Sequence, residues 1–205
     1  MARSELQTRD KILAAAQEEF LQKGYQGAWL RDIARNAGVT TGALYGYFKN
    51  KEELFGALVG EAYHGILDLY RQLLQQFSQL PPDQQQTSMV DHSHQGMVVL
   101  TDFVYAHREA FKLILSCSED TEYSDLIDRM AALDEDATGE FTQAANACGA
   151  PVQRMEPLLE HIITTGLFTM FFELILHDIP KEEADRYLSQ LWSFSTAGCA
   201  QIMGF

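Results

Sequence analysis

The sequence predicts an all-α protein of about nine helices, and three observations carry that expectation. The segment from Ile33 to Phe55, IARNAGVTTGALYGYFKNKEELF, reads as a short helix, a glycine turn, a second short helix and the start of a long third one. That is the layout of a helix-turn-helix DNA reader. Only five prolines are present and alternating β-branched runs are few, which disfavours strands. Beyond the reader, apolar residues recur at helical spacing between breaks marked by glycine and proline.

The first helix is expected over Ser4 to Lys23, where Ile12, Leu13, Ala16, Phe20 and Leu21 share one face and Gly24 ends the run. The second spans Trp29 to Ala37 and the third Thr41 to Tyr47. Ile33, Ala34 and Ala37 sit at helical spacing, Gly38 supplies the backbone freedom a sharp turn needs, and the Thr40 hydroxyl can cap the next helix. Asn50 followed by Glu53 is a capping-box pattern, so a long fourth helix starts at Lys51 and runs to about Phe77. Pro81-Pro82 and the glutamine-rich stretch after it read as a linker. Further helices are expected at Met89 to Tyr105, Arg108 to Cys117, Tyr123 to Cys148, Glu156 to His177 and Lys181 to Met203. Gly149-Ala150-Pro151 and Asp178-Ile179-Pro180 are the breaks. The expected division is residues 1-50 as a DNA-binding domain and 51-205 as a second helical domain, with the helix over 51-77 linking the two.

A net charge of −14 would ordinarily argue against a nucleic-acid partner, but its distribution reverses that objection. Residues 1 to 55 hold eight Lys and Arg against seven Asp and Glu, whereas the remaining 150 hold seven against twenty-two. Such asymmetry lets a local basic face meet phosphates while the acidic body is repelled, which favours one docking orientation and disfavours indiscriminate coating. With 46% hydrophobic residues the chain can bury a sizeable core. No basic start, apolar segment and small-residue cleavage site occur together, so no signal peptide is expected. The most apolar run, Ile162 to Leu176, is shorter than the roughly 20 residues a membrane span needs and reads as a buried helix, with no membrane partner. Cys117, Cys148 and Cys199 are odd in number and widely spaced, which suits a reducing cytoplasm.

A longer string gives the reader a family likeness. Thr8, Ile12, Leu13, Ala15, Ala16, Phe20, Gly24 and Tyr25 are followed by Ile33, Ala34, Ala37-Gly38-Val39, Gly42, Leu44-Tyr45, Tyr47-Phe48, Lys51 and Leu54. In order and spacing this resembles the TetR-like (tetracycline-repressor) family of bacterial transcriptional regulators, over roughly the first quarter of the chain. The resemblance implies a three-helix DNA-binding domain joined to a C-terminal helical domain for ligand binding and dimerisation. It further implies a homodimeric repressor released from a palindromic double-stranded DNA operator by a small-molecule ligand, with no catalytic activity.

By this resemblance the third helix enters the major groove, with Thr40, Thr41 and Ala43 exposed at its start and Gly42 beside them. A threonine can bond a base edge or touch a thymine methyl, whereas Ala43 offers only an apolar contact. With Gly46 also bare, shape and phosphate contacts are expected to carry much of the affinity. Tyr45, Tyr47 and Lys51 match family positions that reach phosphates, and Arg31 on the second helix is a further contact or a solvated surface residue. Ala28 stands where the family has a capping threonine, and the Trp29 indole N–H is a candidate replacement. In the fourth helix Gly56, Gly60 and Gly65 serve either as a hinge or as points of close packing.

The resemblance places a ligand chamber in the C-terminal part. Tyr63, Phe103, His107, Phe111, Met130, Phe141, Phe168, Met170 and Phe172 supply aromatic and sulfur surface for it, although any single one reads as ordinary core before it reads as chamber wall. Glu173, inside an apolar run, needs a partner: a cationic ligand or an internal histidine or tyrosine. The acids between Glu119 and Glu140 share no helical face and read as solvated. The last two helices are expected to pair with a second copy through Gly166, Leu167, Leu191, Phe194, Ser195 and Gly198, with Trp192 adding area. His92 and His94 read as a surface loop, and no metal site, cofactor or nucleophile motif is expected. Two other readings stay open: control by a protein partner or by oxidation of Cys117 or Cys148, and a helical small-molecule binder or enzyme whose reader is vestigial.

Overall fold

A computed structural model describes residues 2–149 and 152–204, with side chains for all of these except residues 2–4, 82, 83 and 86. Among the described residues the regular elements are nine helices. They are α1 (Ala2–Gly27), α2 (Leu30–Asn36), α3 (Thr41–Tyr47), α4 (Lys51–Ser78), α5 (Pro82–Ala106), α6 (Arg108–Cys117), α7 (Leu126–Ala147), α8 (Pro157–Leu176) and α9 (Lys181–Met203). Gly24, at φ 69° and ψ 172°, breaks α1 where the glycine signal puts its end.

The punctuation of the reader follows local chemistry. After α2 the Val39 N–H donates to Ala34 O at 2.9 Å and the Gly38 N–H to Arg35 O at 3.1 Å, a Schellman closure that requires the φ of +70° that Gly38 adopts. Thr40 Oγ1 accepts from the Ala43 N–H at 3.1 Å, and the Glu53 N–H donates to Asn50 Oδ1 at 2.7 Å. Glu53 Oε2 in turn accepts from the Lys49 N–H at 2.7 Å, so the start of α4 is capped from both directions.

Two compact units divide the chain. The first takes the residues through His64 together with His107–Asp125, so α6 and the turn after it pack with the N-terminal helices. Ile12, Phe20, Ile33, Leu44, Leu54, Phe55 and Phe111 are fully buried in it. The second takes Gly65–Ala106 and Leu126–Phe205. There α7 packs on α8, and α5 on both α7 and α9. The helix α4 contributes its first half to one unit and its second half to the other.

Three expectations change. The glutamine-rich stretch expected as a linker is the first turns of α5, because proline is tolerated at a helix start and glutamine is a good helix former. Gln85 is buried there, and its Nε2 donates to Ser78 O and Leu80 O at 3.1 and 2.7 Å, satisfying carbonyls at the end of α4. His92 and His94 therefore lie on a helix, not in a loop. The apolar α8 is long and apolar enough to cross a membrane by length and composition, and it is only partly buried. Phe168, Phe171, Phe172 and Ile175 form its inner stripe, while Leu158, Leu159, Ile162 and Leu176 are exposed. Of the break at Gly149-Ala150-Pro151, Gly149 has a positive φ of 80°, and the other two lie outside the described residues.

Candidate functional site

The surface of α2 and α3 is built on a small core of Ile33, Ala34, Leu44 and Phe48. Arg31, Thr40, Gly42, Ala43, Tyr45 and Gly46 are exposed, and Thr41 and Tyr47 are half-buried. A Cβ added at Gly42 or Gly46 would meet nothing within 4 Å, so this face is thin enough for close approach of a flat partner. Trp29 stands beside it, 68% exposed. The cap expected from its indole comes from elsewhere: Glu19, itself buried, accepts the Trp29 backbone N–H at 3.4 Å and pairs with Lys23 at 2.6 Å. Lys23 of α1 reaches Asp32 at 3.2 Å, which ties α2 to α1, and Arg35 pairs with the same Asp32 at 2.9 Å within α2. The Arg9 guanidinium sits over the Phe48 ring, 5.7 Å from its centroid, a cation at the exit of α3 that residue spacing alone did not single out.

Lys51, expected at a phosphate, is held by main-chain groups of its own unit. Its ammonium donates to the carbonyls of Tyr25, Gln26 and Ala28 at 2.7, 3.4 and 3.4 Å and lies over the Tyr25 ring at 4.5 Å. Burial pushes its pKa below the ordinary lysine value. The charge is spent inside the unit, tying α4 to the turn between α1 and α2.

The second unit holds a partly open cavity of about 190 Å³. Leu73, Leu74 and Phe77 of α4, Met89, Met97 and Leu100 of α5 and Phe141 of α7 supply apolar wall. Ile163 and Leu167 of α8 and Trp192, Cys199 and Met203 of α9 complete much of it. Tyr70, His92, Asp134, Glu160 and Cys199 are the titratable side chains of the lining, and Ser93, Thr138, Thr164, Ser195 and Thr196 add hydroxyls. The Tyr70 hydroxyl donates to Asp134 Oδ1. Burial pushes the Asp134 carboxyl up against the opposing pull of that bond, and the Tyr70 hydroxyl is itself raised well above its ordinary value. Glu160 is 5% exposed and its Oε1 has no hydrogen-bond partner, which is also true of the buried Trp192 Nε1. Burial raises the Glu160 carboxyl, with Asp134 and Glu135 adding to the rise and Arg154 opposing it.

Of the residues expected to line a chamber, Phe141 does. Tyr63, His107 and Phe111 belong to the other unit, where Tyr63 is buried and hydrogen-bonded to Asp125 and Phe111 is fully buried. Met130, Phe168 and Phe172 are core, and Phe103 packs edge-on against Gly65. Met170 and Glu173 border a separate, open surface hollow between α8 and α9, with Leu191 and Phe194. Glu173 is half-exposed and pairs with His177 at 3.0 Å, so its partner is the internal histidine. Among the residues expected at a dimer surface, Leu167 and Ser195 line the cavity, Phe194 is 74% exposed, and Gly166 and Gly198 have open space over them.

Asp134 and Glu160 were hidden by their company. The acids of α7 looked solvated, yet Asp134 falls four residues after Met130 on the buried seam, and Glu135 pairs with His161 at 3.0 Å. Glu160 leads the stripe Thr164, Phe168, Phe171, Phe172 and Ile175, so its register with buried positions was the available signal. Cys117 is buried with its thiol pKa pushed up, Cys199 lines the cavity and Cys148 is exposed. Among the described residues no three His, Cys, Asp or Glu side chains are grouped to hold a metal ion.

Residues 12–58 match the model of the bacterial regulatory proteins of the tetR family. The chain is 43% identical over 56 residues to the HTH-type transcriptional repressor BepR of Brucella suis biovar 1 (strain 1330), covering 27% of each chain. It is 28% identical over 101 residues to the HTH-type transcriptional repressor KstR2 of Mycolicibacterium smegmatis (strain ATCC 700084 / mc(2)155), or 46% of this chain and 48% of that one. The matched segments thus span about a quarter to a half of the length of these curated relatives. The fold extends the likeness: a TetR-family transcriptional regulator from Bordetella parapertussis 12822 superposes with a TM-score of 0.62 over 91% of this chain and 93% of its own, at 20% identity. Residues 12–58 thus carry the reader segment of the tetR family of bacterial regulatory proteins, and nearly the whole chain has the fold of a TetR-family transcriptional regulator.

Proposed function

We propose that the protein is a homodimeric DNA-binding repressor, released from a palindromic operator when a small molecule fills the cavity of the second unit. The observation that carries this is the bare α3 face. Thr40, Gly42, Ala43, Tyr45 and Gly46 stand exposed on a helix whose other side is core, and the Thr40 cap holds its first turn in place. Such a face suits insertion into a major groove, with Thr40 and Thr41 offered to base edges and Arg31, Tyr45 and Tyr47 to phosphates. The names of BepR and KstR2 support repression as the sign of control.

The partner copy would cover the exposed apolar residues of α8 and α9, chiefly Leu158, Ile162 and Phe194, with Gly166 and Gly198 allowing close approach. Two copies of α3 about 34–36 Å apart would read successive major grooves. The setting proposed is the cytoplasm, where the operator is.

Selection from a random duplex library at physiological salt tests the reading. The expected result is a palindromic motif whose affinity falls about tenfold, almost uniformly across sequences, in Tyr45→Phe and Arg31→Ala. No enrichment even at low salt would overturn it.

A further inference from the structure

We infer that the cavity selects a small aromatic amine, bound through Glu160 and Trp192; the inference rests on the ligand-release reading above and narrows it. A partly open cavity of about 190 Å³ is little larger than the ~150 Å³ apolar void known to take a benzene ring, so one ring with a short chain is the size its interior covers. Its walls suit a ring. Phe77, Phe141, Tyr70 and Trp192 offer aromatic surface, and four of the seven methionines, Met89, Met97, Met155 and Met203, offer adaptable sulfur contacts.

Charge sets the rest of the ligand. Asp134 and Glu160 both line the cavity, and among the described lining residues there is no lysine or arginine. The Asp134 carboxylate is already engaged by Tyr70, so Glu160 Oε1 is the acceptor left over. Leaving a buried carboxyl oxygen unmet is costly, and a ligand N–H⁺ removes that cost, while an acid would set a further carboxyl group against the two already buried there. Beyond the wall, Glu135 and Arg154 also act on Glu160, with opposite signs, and His161 holds Glu135, so the surroundings do not reverse the preference. The Trp192 indole N–H is the matching unmet donor, and its ring face is available to a cation. A ligand that carries an ammonium group and a weak acceptor, or that orients its ring π-face to the indole N–H, meets both.

Calorimetry near neutral pH with 2-phenylethylamine, n-propylbenzene and 3-phenylpropionate tests this. The amine is expected to bind at least tenfold more tightly than the hydrocarbon, with the carboxylate weakest, and to shift the Trp192 indole N–H resonance. Glu160→Gln, of the same shape, is expected to cost the amine at least tenfold while leaving n-propylbenzene unchanged. Trp192→Phe keeps a ring and removes only the donor, so it carries the same test from the other side if Glu160→Gln does not fold. Binding of the carboxylate as tight as that of the amine, or an amine preference that survives both substitutions, overturns the inference. Amine binding that leaves affinity for the selected operator unchanged overturns ligand release but supports the chamber chemistry. Failure of all three probes to bind overturns the inference alone, since the ligand-release reading names no ligand class.

Discussion

At Lys51 a charged side chain near a proposed DNA surface is held by three main-chain carbonyls and an aromatic ring. Replacing it with methionine keeps the stem and removes the donor, leaving Tyr25 O without its 2.7 Å partner. Lys51→Met is therefore expected to lower the unfolding free energy by about 1–2 kcal/mol, read by urea denaturation. Its DNA affinity should fall with the same slope against salt concentration as wild type, since no phosphate contact is lost. An unchanged stability with a shallower salt slope would restore Lys51 to the phosphate-contacting surface. Residue-scale features of this kind divide by range. The caps at Thr40 and at Asn50 with Glu53 could be read from the sequence because both partners lie within a few residues. The anchoring of Lys51 and the unmet oxygen of Glu160 could not, because each depends on groups brought in from distant segments.

Among the elements, α4 shows how three glycines of one helix differ in space. A Cβ on Gly65 would fall 2.6 Å from Phe103 Cζ, and one on Gly56 2.7 Å from the Tyr123 hydroxyl, whereas at Gly60 the nearest atom is 3.6 Å away. Close packing therefore accounts for Gly56 and Gly65 and leaves Gly60 unconstrained. Gly65→Ala should destabilise by about 1–3 kcal/mol through displacement of the Phe103 ring. Gly60→Ala should be neutral or stabilising by up to about 1 kcal/mol. Thermal melts of the two variants side by side check this, and equal losses would refute the packing account. Helix limits were legible where the chain is punctuated: α6 and α9 fall on the expected Arg108 to Cys117 and Lys181 to Met203. The start of α5 was not, because a proline pair resembles a break whether it ends one helix or opens the next. The start of α7 was also misplaced, as Tyr123 buries itself in the turn before the helix.

For the whole molecule, the excess of acid beyond residue 55 and the exposed apolar patch on α8 and α9 suit a body that avoids DNA and meets its own copy. Phe194→Glu combined with Ile162→Glu should convert a dimer to a monomer by sedimentation and cut operator affinity by at least a hundredfold, with helical content retained. A double variant that stays dimeric would place the contact elsewhere. The all-helical class and the reader were legible because hydrophobic period and turn glycines are local signals. The cavity was not: of the aromatic candidates only Phe141 reaches it, since aromatic residues at helical spacing look the same whether they fill a core or border a void.

The open space over Gly42 and Gly46 bears on how such a reader changes its target. New side chains at these two positions would add helix propensity and meet no neighbour, so substitution there carries little folding penalty. With α3 as the proposed reader, selection can rewrite operator preference there without disturbing the scaffold beneath it, so a duplicated copy of this gene acquires a new binding site through very few mutations.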